Sequence, residues 1–288
     1  MITASIVKEL RDKTNAGMMD CKKVLTETNG DLEASIKLLR ERGIAKAGAK
    51  ADRAANEGII TARVASDAKS GILLEINCET DFVSRNENFQ AFVTEVADTL
   101  AGATAADLDA ALASPQGEGT IGDFVKVKAV ELGENIQLRK YVRFEAAEGG
   151  VVSSYIHLGG KVGVLIEVGT TKAESAASPV FQELVKDLTL HIAASAPKGL
   201  SREDIPQDIV DAELDIFRTR LIAEGKPENI IENILKGQIG KFFAESCFLE
   251  QAFVKDGDIK INALLEAKGK EIGDTLTVTR FVRFGLGE

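Results

Sequence analysis

The chain has 288 residues, 44% of them hydrophobic and 28% charged, which is enough to bury a sizeable core in two or three modules. Its formal net charge of −10 and pI of about 5.0 oppose binding to a phosphate backbone, so we expect no direct nucleic-acid partner. No apolar run approaches the roughly 20 residues that span a bilayer, and the amino terminus lacks a leader pattern, so we expect a cytoplasmic protein without membrane attachment.

Side chains able to do chemistry are few and scattered. The three cysteines are odd in number and far apart, which favours reduced, packed thiols over a disulfide framework. His157 and His191 have no His or Cys beside them at metal-ligand spacing. The glycine-rich stretch Leu158–Gly163 has Val where a phosphate-binding loop needs Ser or Thr, and it predicts a hairpin turn. We therefore expect no catalytic residue, metal site or cofactor, and a protein that is not an enzyme.

The first 43 residues predict three short helices, because apolar residues recur at helical spacing and turn signals separate the stripes. The predicted helices are Ser5–Lys13, Met18–Thr28 and Asp31–Arg42. Three such stripes can close a small bundle over residues 1–44. The Ala/Lys/Gly stretch that follows lacks bulky apolar residues, so residues 45–57 are predicted to be a linker or a loosely held helix.

The hydrophobic period changes at Gly58 and predicts the first half of a core over residues 58–148. Alternating apolar residues before and after a polar turn predict a β-hairpin, and helical stripes follow it. The predicted elements are strands Ile59–Val64 and Ile72–Ile76, helices Asn88–Ala101 and Ile121–Leu132, and strand Ile136–Phe144. The interval around Ser114–Gly117 is predicted to be an exposed loop.

The same pattern then repeats in residues 149–288. The segment that begins at Gly71 recurs at Gly163, which is 92 positions later. The segment that begins at Gly133 recurs at Gly273, which is 140 positions later. Residues 149–288 are therefore predicted to be a second copy of the first core half.

Because the second spacing is the larger, the second copy must contain an insertion, placed at about 198–247. Helical stripes over Ile209–Ala223 and Glu228–Phe242 flank a turn there and predict an antiparallel helical hairpin. The predicted fold class is α+β: a small three-helix bundle, then a duplicated core of two antiparallel sheets with helices packed on them.

The segment Asn77–Val83 is predicted to be a loop between a strand and a helix, and its Phe82 leaves two readings open. The ring tucks back onto the helix, or Asp81 and Phe82 project from a rigid scaffold as a paired charge and apolar wedge. A similar choice applies to Met18 and Met19, which either belong to a turn between helices or form an adaptable contact surface.

Four separated motifs, in order along the chain, resemble those of the elongation factor Ts family. They are Ala16–Lys23, Asn77–Val83, Tyr155–Leu165 and Phe248–Asp256. Any one of them is a weak signal, but together they extend the resemblance over essentially the whole chain. Asn15 and Ala252 depart from the family pattern, which affects local turn geometry and not the loop around Phe82.

The resemblance implies a guanine nucleotide exchange factor that binds the GTPase elongation factor Tu in its GDP form and promotes GDP release, so that GTP can reload. It also implies that the amino-terminal bundle is ubiquitin-associated-like. In the family, the residues that match Thr80, Asp81, Phe82 and Val83 dislocate Mg²⁺ from the partner's nucleotide site. The further partner-binding residues that it implies are Met18, Met19, Lys22, Lys23, Asn77, His157, Leu158 and Gly159.

Two other readings of the sequence remain open. An adapter with a ubiquitin-associated-like bundle would bind proteins without exchange activity, since such a bundle on a linker is a common interaction module. A metabolic α+β enzyme would place its site between the two halves, but no convergent His, Cys or Ser cluster supports one. Self-association through the inserted hairpin is also left open.

Overall fold

A computed structural model describes residues 2–14, 16–48 and 52–288 of the chain. Asn15 and part of the predicted linker therefore lie outside the described residues. Within them the chain is α+β, as predicted, with small helices at the amino terminus followed by antiparallel sheets. None of the described helices is both long and apolar enough to cross a membrane.

The amino-terminal bundle consists of α1 (Ala4–Thr14), α2 (Met18–Glu27) and α3 (Leu32–Gly48). Its centre is apolar, with Leu10, Cys21 and Leu25 fully buried. Helix α3 continues to Gly48, beyond the predicted end at Arg42, so the first residues of the predicted linker are helical. Ala and Lys, which dominate that stretch, have high helix propensity and prolong a helix that is already nucleated.

The first core half contains three long strands, two long helices and several short elements. In chain order they are β1 (Glu57–Val64), β2 (Ser70–Cys78), α4 (Asp81–Ser84), α5 (Glu87–Gly102), α6 (Leu108–Ala113), β3 (Pro115–Gln116), β4 (Gly119–Thr120), α7 (Ile121–Leu132) and β5 (Gln137–Glu145). The long strands form an antiparallel sheet in the order β1-β2-β5. Helices α5 and α7 cover one face of this sheet and share its apolar core.

The prediction of an exposed loop at Ser114–Gly117 was only partly right: Pro115 and Gly117 are exposed, but the segment is not an irregular loop. Pro115 and Gln116 pair with Gly119–Thr120 in a small hairpin, and Ser114 is buried, with its hydroxyl donating to the Ala110 carbonyl at 2.9 Å. The reason is long-range, because the Thr99 hydroxyl donates to Gln116 Oε1 at 2.7 Å. Such a contact does not show in the local sequence.

The second core half repeats this order and adds two long helices. Its elements are β6 (Gly150–His157), β7 (Val162–Thr170), α8 (Pro179–Ser195), α9 (Gln207–Ala223), α10 (Glu228–Ser246), β8 (Ala252–Phe253), β9 (Asp256–Lys260), α11 (Ile261–Ile272) and β10 (Leu276–Gly285). The sheet order is β10-β7-β6. Strand β7 begins and ends 92 positions after β2, and α11 begins and ends 140 positions after α7.

Helices α9 and α10 pack against each other as the predicted antiparallel hairpin. Two small apolar clusters hold them together, one near the core around Val210 and Phe242, the other near the tip around Leu221, Ile231 and Leu235. The hairpin thus carries its own packing and extends from the second half.

The two sheets lie face to face, and each keeps its helices on the outside. A separate apolar cluster joins the two sheets, formed by Ile60, Leu73, Phe144, Val152, Leu165 and Phe284. The backbone N–H of Ile60 in β1 also donates to the Gly160 carbonyl of the second half at 2.8 Å. The core is therefore one rigid platform with helices on its two outer faces.

Candidate functional site

The loop after β2 is held by a helix cap and an apolar anchor. Thr80 is the N-cap of α4, and its hydroxyl accepts a hydrogen bond from the Val83 N–H at 3.3 Å. Val83 is partly buried and packs against the apolar core of the first half. Phe82, between them, is 83% exposed. Of the two sequence readings, the structure has the one in which the ring projects from a held loop.

Asp81 stands beside the exposed ring with a carboxylate that is only weakly engaged. It forms an ion pair with Arg85 at 3.1 Å, four residues on, and the side chains of Arg85 and Asp81 are 80% and 44% exposed. Exposed pairs of this kind contribute about 0–1 kcal/mol, so a partner can displace Arg85 at little cost. Asp81 and Phe82 together present a negative charge and an apolar ring at one point of the surface.

Glu134 and Glu79 hold this loop, and neither was predicted from the sequence. The Glu134 carboxylate accepts from the N–H groups of Glu79 and Thr80 at 3.0 and 3.1 Å. It also accepts from the Thr80 hydroxyl at 2.6 Å. In return Glu79 Oε1 accepts from the Asn135 N–H at 2.6 Å. A sequence signal exists, because Gly133 and Gly273 of the internal repeat are each followed by an acidic residue.

Asn77 does not lie at the surface, which corrects the expectation that it contacts a partner directly. Its side chain is fully buried, and its Nδ2 donates to the Glu57 carbonyl at 3.1 Å. Its Oδ1 has no hydrogen-bond partner among the described residues. A polar residue at the end of a strand can serve the neighbouring strand instead of a ligand, and Asn77 fixes the end of β2 to the start of β1.

The turn between β6 and β7 presents a second exposed apolar tip, as a hairpin turn in agreement with the sequence. His157 and Gly159 are exposed and Leu158 is 71% exposed. The Tyr155 hydroxyl and His157 Nδ1 lie 2.9 Å apart, which orients the imidazole. Gly160 is the tight point of the turn, because a Cβ there would lie 2.8 Å from the Ile59 side chain.

Glu57, at the start of β1, connects the two exposed tips. Its carbonyl accepts from Asn77, which precedes the Phe82 loop, and its carboxylate pairs with Lys161 of the second turn at 2.7 Å. The Phe82 loop and the Leu158 turn therefore adjoin the same strand end of the rigid platform.

The amino-terminal bundle supplies a third exposed patch. Met18 and Met19, at the start of α2, are 56% and 75% exposed, and Lys22 and Lys23 are exposed on the same helix. Helix α3 lies against α7 of the core, with a cavity of about 700 Å³ between the two units. Thioether side chains adapt to irregular partner surfaces, and the lysines add positive charge beside them.

Two buried titratable side chains, Cys78 and His191, are neutral at neutral pH. Burial raises the pKa of the Cys78 thiol to about 12, which makes it a poor nucleophile. Burial also lowers the pKa of His191, although its hydrogen bond to Gln251 partly opposes that effect. In the described part of the chain, no three His, Cys, Asp or Glu side chains group so that they could hold a metal ion.

Comparison with known proteins gives one consistent family. A family model described as elongation factor TS matches residues 79–288. The elongation factor Ts of Clostridium perfringens (strain SM101 / Type A) is 47% identical over 289 residues, covering 100% of this chain and 94% of the relative. That of Trichlorobacter lovleyi is 43% identical over 290 residues, covering 100% and 93%.

A third relative, the elongation factor Ts of Bdellovibrio bacteriovorus, is 44% identical over 287 residues, which are 99% of this chain and 92% of the relative. The match thus includes the bundle, both core halves and the inserted hairpin. The chain therefore belongs to the elongation factor Ts family, a family of translation elongation factors.

Proposed function

We propose that this chain binds elongation factor Tu in its GDP form and promotes release of GDP, without catalysing a reaction itself. The observation that carries the proposal is Phe82, a large apolar side chain that is 83% exposed on a loop held at both ends. Leaving a phenyl ring in water forgoes burial free energy of roughly 1.5–3 kcal/mol, which a pocket on a partner can recover.

Promotion of nucleotide release is a matter of coupling free energy. The exchange factor must bind the nucleotide-free GTPase more tightly than the nucleotide-bound one. A 10³- to 10⁵-fold weakening of GDP binding corresponds to about 4–7 kcal/mol of differential contact. One ring cannot supply that alone.

Three exposed patches together can supply this differential contact free energy. We assign Asp81 and Phe82 to the site where the partner holds Mg²⁺ and GDP, where a carboxylate competes for the groups that organise the cation. The Leu158 turn and the Met18–Met19 patch supply contacts elsewhere on the partner. The core that carries Phe82 and the Leu158 turn is rigid, so little free energy is lost in ordering these two patches on binding.

The test is the affinity of this chain for elongation factor Tu, measured with and without saturating Mg²⁺·GDP. Linkage requires that a factor which weakens GDP binding is itself bound more weakly, by the same factor, when GDP is present. We expect at least about a 10³-fold difference between the two affinities. Equal affinities would favour the adapter reading, in which the chain binds the GTPase without affecting its nucleotide.

A further inference from the structure

We propose that Glu134 is a positioning residue for the wedge formed by Asp81 and Phe82, an inference that rests on the proposed function. Glu134 lies in the turn between α7 and β5, 54 positions from Thr80. Residues 79–83, the Phe82 loop described above, are called the wedge loop from here on. The Glu134 carboxylate accepts three hydrogen bonds from it: from the N–H groups of Glu79 and Thr80 and from the Thr80 hydroxyl. Hydrogen bonds to an ionised acceptor are short and strong, so the carboxylate fixes this part of the loop.

The hydroxyl of Thr80 carries the effect from Glu134 to the wedge. It donates its one proton to Glu134 Oε1, which leaves its lone pairs to accept the Val83 N–H and cap α4. Helix α4 has four residues, and a single turn has no stability of its own. The direction of Phe82 therefore depends on the cap, and the cap depends on the acceptor that Glu134 provides.

The second core half contains the equivalent hydrogen bonds between a carboxylate and a loop backbone, but no equivalent of the wedge. Asp274 is the repeat equivalent of Glu134, and it accepts from the N–H groups of Thr171 and Lys172, each at 3.1 Å. These two residues are the equivalents of Glu79 and Thr80, 92 positions later. A 3₁₀ turn, Ala173–Ala177, follows them, and it has no side-chain cap.

This internal pair separates a structural role from a positioning role. Both carboxylates tie a strand-to-helix loop to the turn after an outer helix, so both contribute to the stability of their half. Asp274 also accepts from the Thr171 hydroxyl, but that hydroxyl caps no helix. The hydroxyl held by Glu134 caps the turn that bears an exposed phenyl ring. Asp274→Asn is therefore the matched control for Glu134→Gln.

The substitution Glu134→Gln reverses the polarity of the critical bond. The single amide oxygen of the substituted side chain can still accept from the loop backbone, as one carboxylate oxygen does now. The amide nitrogen then faces the Thr80 hydroxyl and donates to it. The hydroxyl proton loses its acceptor, and the lone pairs are shared between the amide and the Val83 N–H. Thr80→Val removes the hydroxyl at nearly constant shape and should have the same consequence.

The first experiment measures the maximal rate of GDP release from elongation factor Tu at saturating full-length chain. We expect Glu134→Gln and Thr80→Val to lower it about tenfold or more, the loss that follows from removing a hydrogen bond to a charged group. Asp274→Asn should stay within about twofold of wild type. Equal effects of Glu134→Gln and Asp274→Asn would overturn the proposal.

A double variant gives a readout that a merely structural role would not move. If Glu134 acts through Phe82, Glu134→Gln should cause no further loss of release rate in a Phe82→Ala background. Full additivity of the two substitutions would also overturn the proposal.

The second experiment tests the role of Glu134 in the free chain, without elongation factor Tu, so its outcome does not depend on the proposed function. Amide hydrogen exchange in the free, full-length chain should be about tenfold faster or more at Val83 in Glu134→Gln than in wild type, and unchanged there in Asp274→Asn. If the wild-type chain did not promote GDP release, the proposed function would fail while this measurement still judged the positioning of the loop. Unchanged exchange at Val83 would overturn the role of Glu134 whatever the release assay showed.

Discussion

Two adjacent residues of the wedge loop, exposed Phe82 and packed Val83, should contribute very differently to the free energy of unfolding. Phe82 is 83% exposed, so Phe82→Ala removes little internal contact, and we expect the free energy of unfolding to change by less than about 0.5 kcal/mol. Val83 packs against the core, so Val83→Ala should cost about 1 kcal/mol. Urea unfolding of both variants checks this. A Phe82→Ala protein destabilised as much as Val83→Ala would mean that the ring is packed.

His191 makes the second half sensitive to acid. It is buried, its Nδ1 accepts from the Val254 N–H at 3.1 Å, and its Nε2 lies 2.9 Å from Gln251 Oε1. Nδ1 is thus the acceptor and Nε2 the donor of a neutral ring. Burial lowers the pKa of His191 in the folded state, because the charged form is desolvated.

The sign of the pH effect follows from that direction. Above the unfolded-state pKa of about 6.5 the ring is neutral in both states and the folded state has its full stability. As the pH falls below that value, the unfolded chain takes up a proton that the folded chain does not, so stability is lost by at most about 1.4 kcal/mol per pH unit. His191→Gln can still donate to Gln251 and accept from Val254. Urea unfolding at pH 7.5 and 5.5 should show a smaller loss for His191→Gln, and an equal loss would contradict the assignment.

Phe82 could be found from the local sequence pattern, but its supports could not, and only the internal repeat hints at Glu134. A bulky ring among polar residues in a predicted strand-to-helix loop points to a contact site, and the structure has the ring exposed. Asn77 was misjudged, because its partner is the carbonyl of Glu57 on the neighbouring strand. Glu134 was missed, because the hydrogen bonds that define it join positions 54 and 55 apart. Contacts between distant segments have no local sequence signal.

Elements with their own local signals were predicted closely. Helix α7 has the predicted bounds, since Thr120 caps its start and Gly133, in the left-handed conformation, ends it. Helix α5 differs by one residue at each end, with Asn86 as its cap. The β3-β4 hairpin and the length of α3 were not predicted, since the first depends on contacts with α5 and the second on continuation of an existing helix.

The Leu158 turn depends on one glycine far more than on its neighbour. Gly160 has φ +96°, and a Cβ there would meet the Ile59 side chain at 2.8 Å and the Ile60 carbonyl at 3.1 Å. Gly159 also has a positive φ, but nothing lies within 4 Å of its Cβ position. We therefore expect Gly160→Ala to destabilise by about 1–3 kcal/mol and Gly159→Ala by less. Thermal unfolding of the two variants compares them, and equal losses would mean that the close approach of the two halves is not a constraint.

At the scale of the whole molecule, the two core halves hold each other through reciprocal contacts. Lys140 of the first half lies over the ring of Phe284 in the second at 5.3 Å from its centroid. Arg280, the repeat equivalent of Lys140, lies over the ring of Phe144, the equivalent of Phe284, at 4.2 Å. This is the pattern of an isologous contact, in which each half offers the other the same surface.

Two buried glutamates extend the same relation. Glu75 pairs with Lys140 at 3.1 Å and accepts from the Gly287 N–H of the other half at 2.9 Å. Glu167, its equivalent, pairs with Arg280 at 2.7 Å and accepts from the Ala147 N–H at 2.9 Å. Charges that leave water need such partners, so these pairs specify how the two sheets meet.

Weakening one of these pairs should loosen the whole platform. The neutral side chain in Glu167→Gln cannot serve both Arg280 and the Ala147 N–H as an ionised acceptor, and we expect a loss of about 1–3 kcal/mol in the free energy of unfolding. Glu145→Gln is the control, because the Glu145 side chain is 63% exposed and its loss should cost less than about 0.5 kcal/mol. Equal denaturant midpoints for the two variants would contradict a structural role for the buried pair.

The most direct test of the account is stopped-flow release of a fluorescent GDP analogue from elongation factor Tu, with wild-type chain, Phe82→Ala and Ile216→Ala. Ile216 is a suitable control because it is also an exposed apolar side chain, 60% exposed, but lies on the inserted hairpin. We expect wild type and Ile216→Ala to accelerate release equally, and Phe82→Ala to lose about tenfold or more of the acceleration. Acceleration by Phe82→Ala at the wild-type rate would contradict the account.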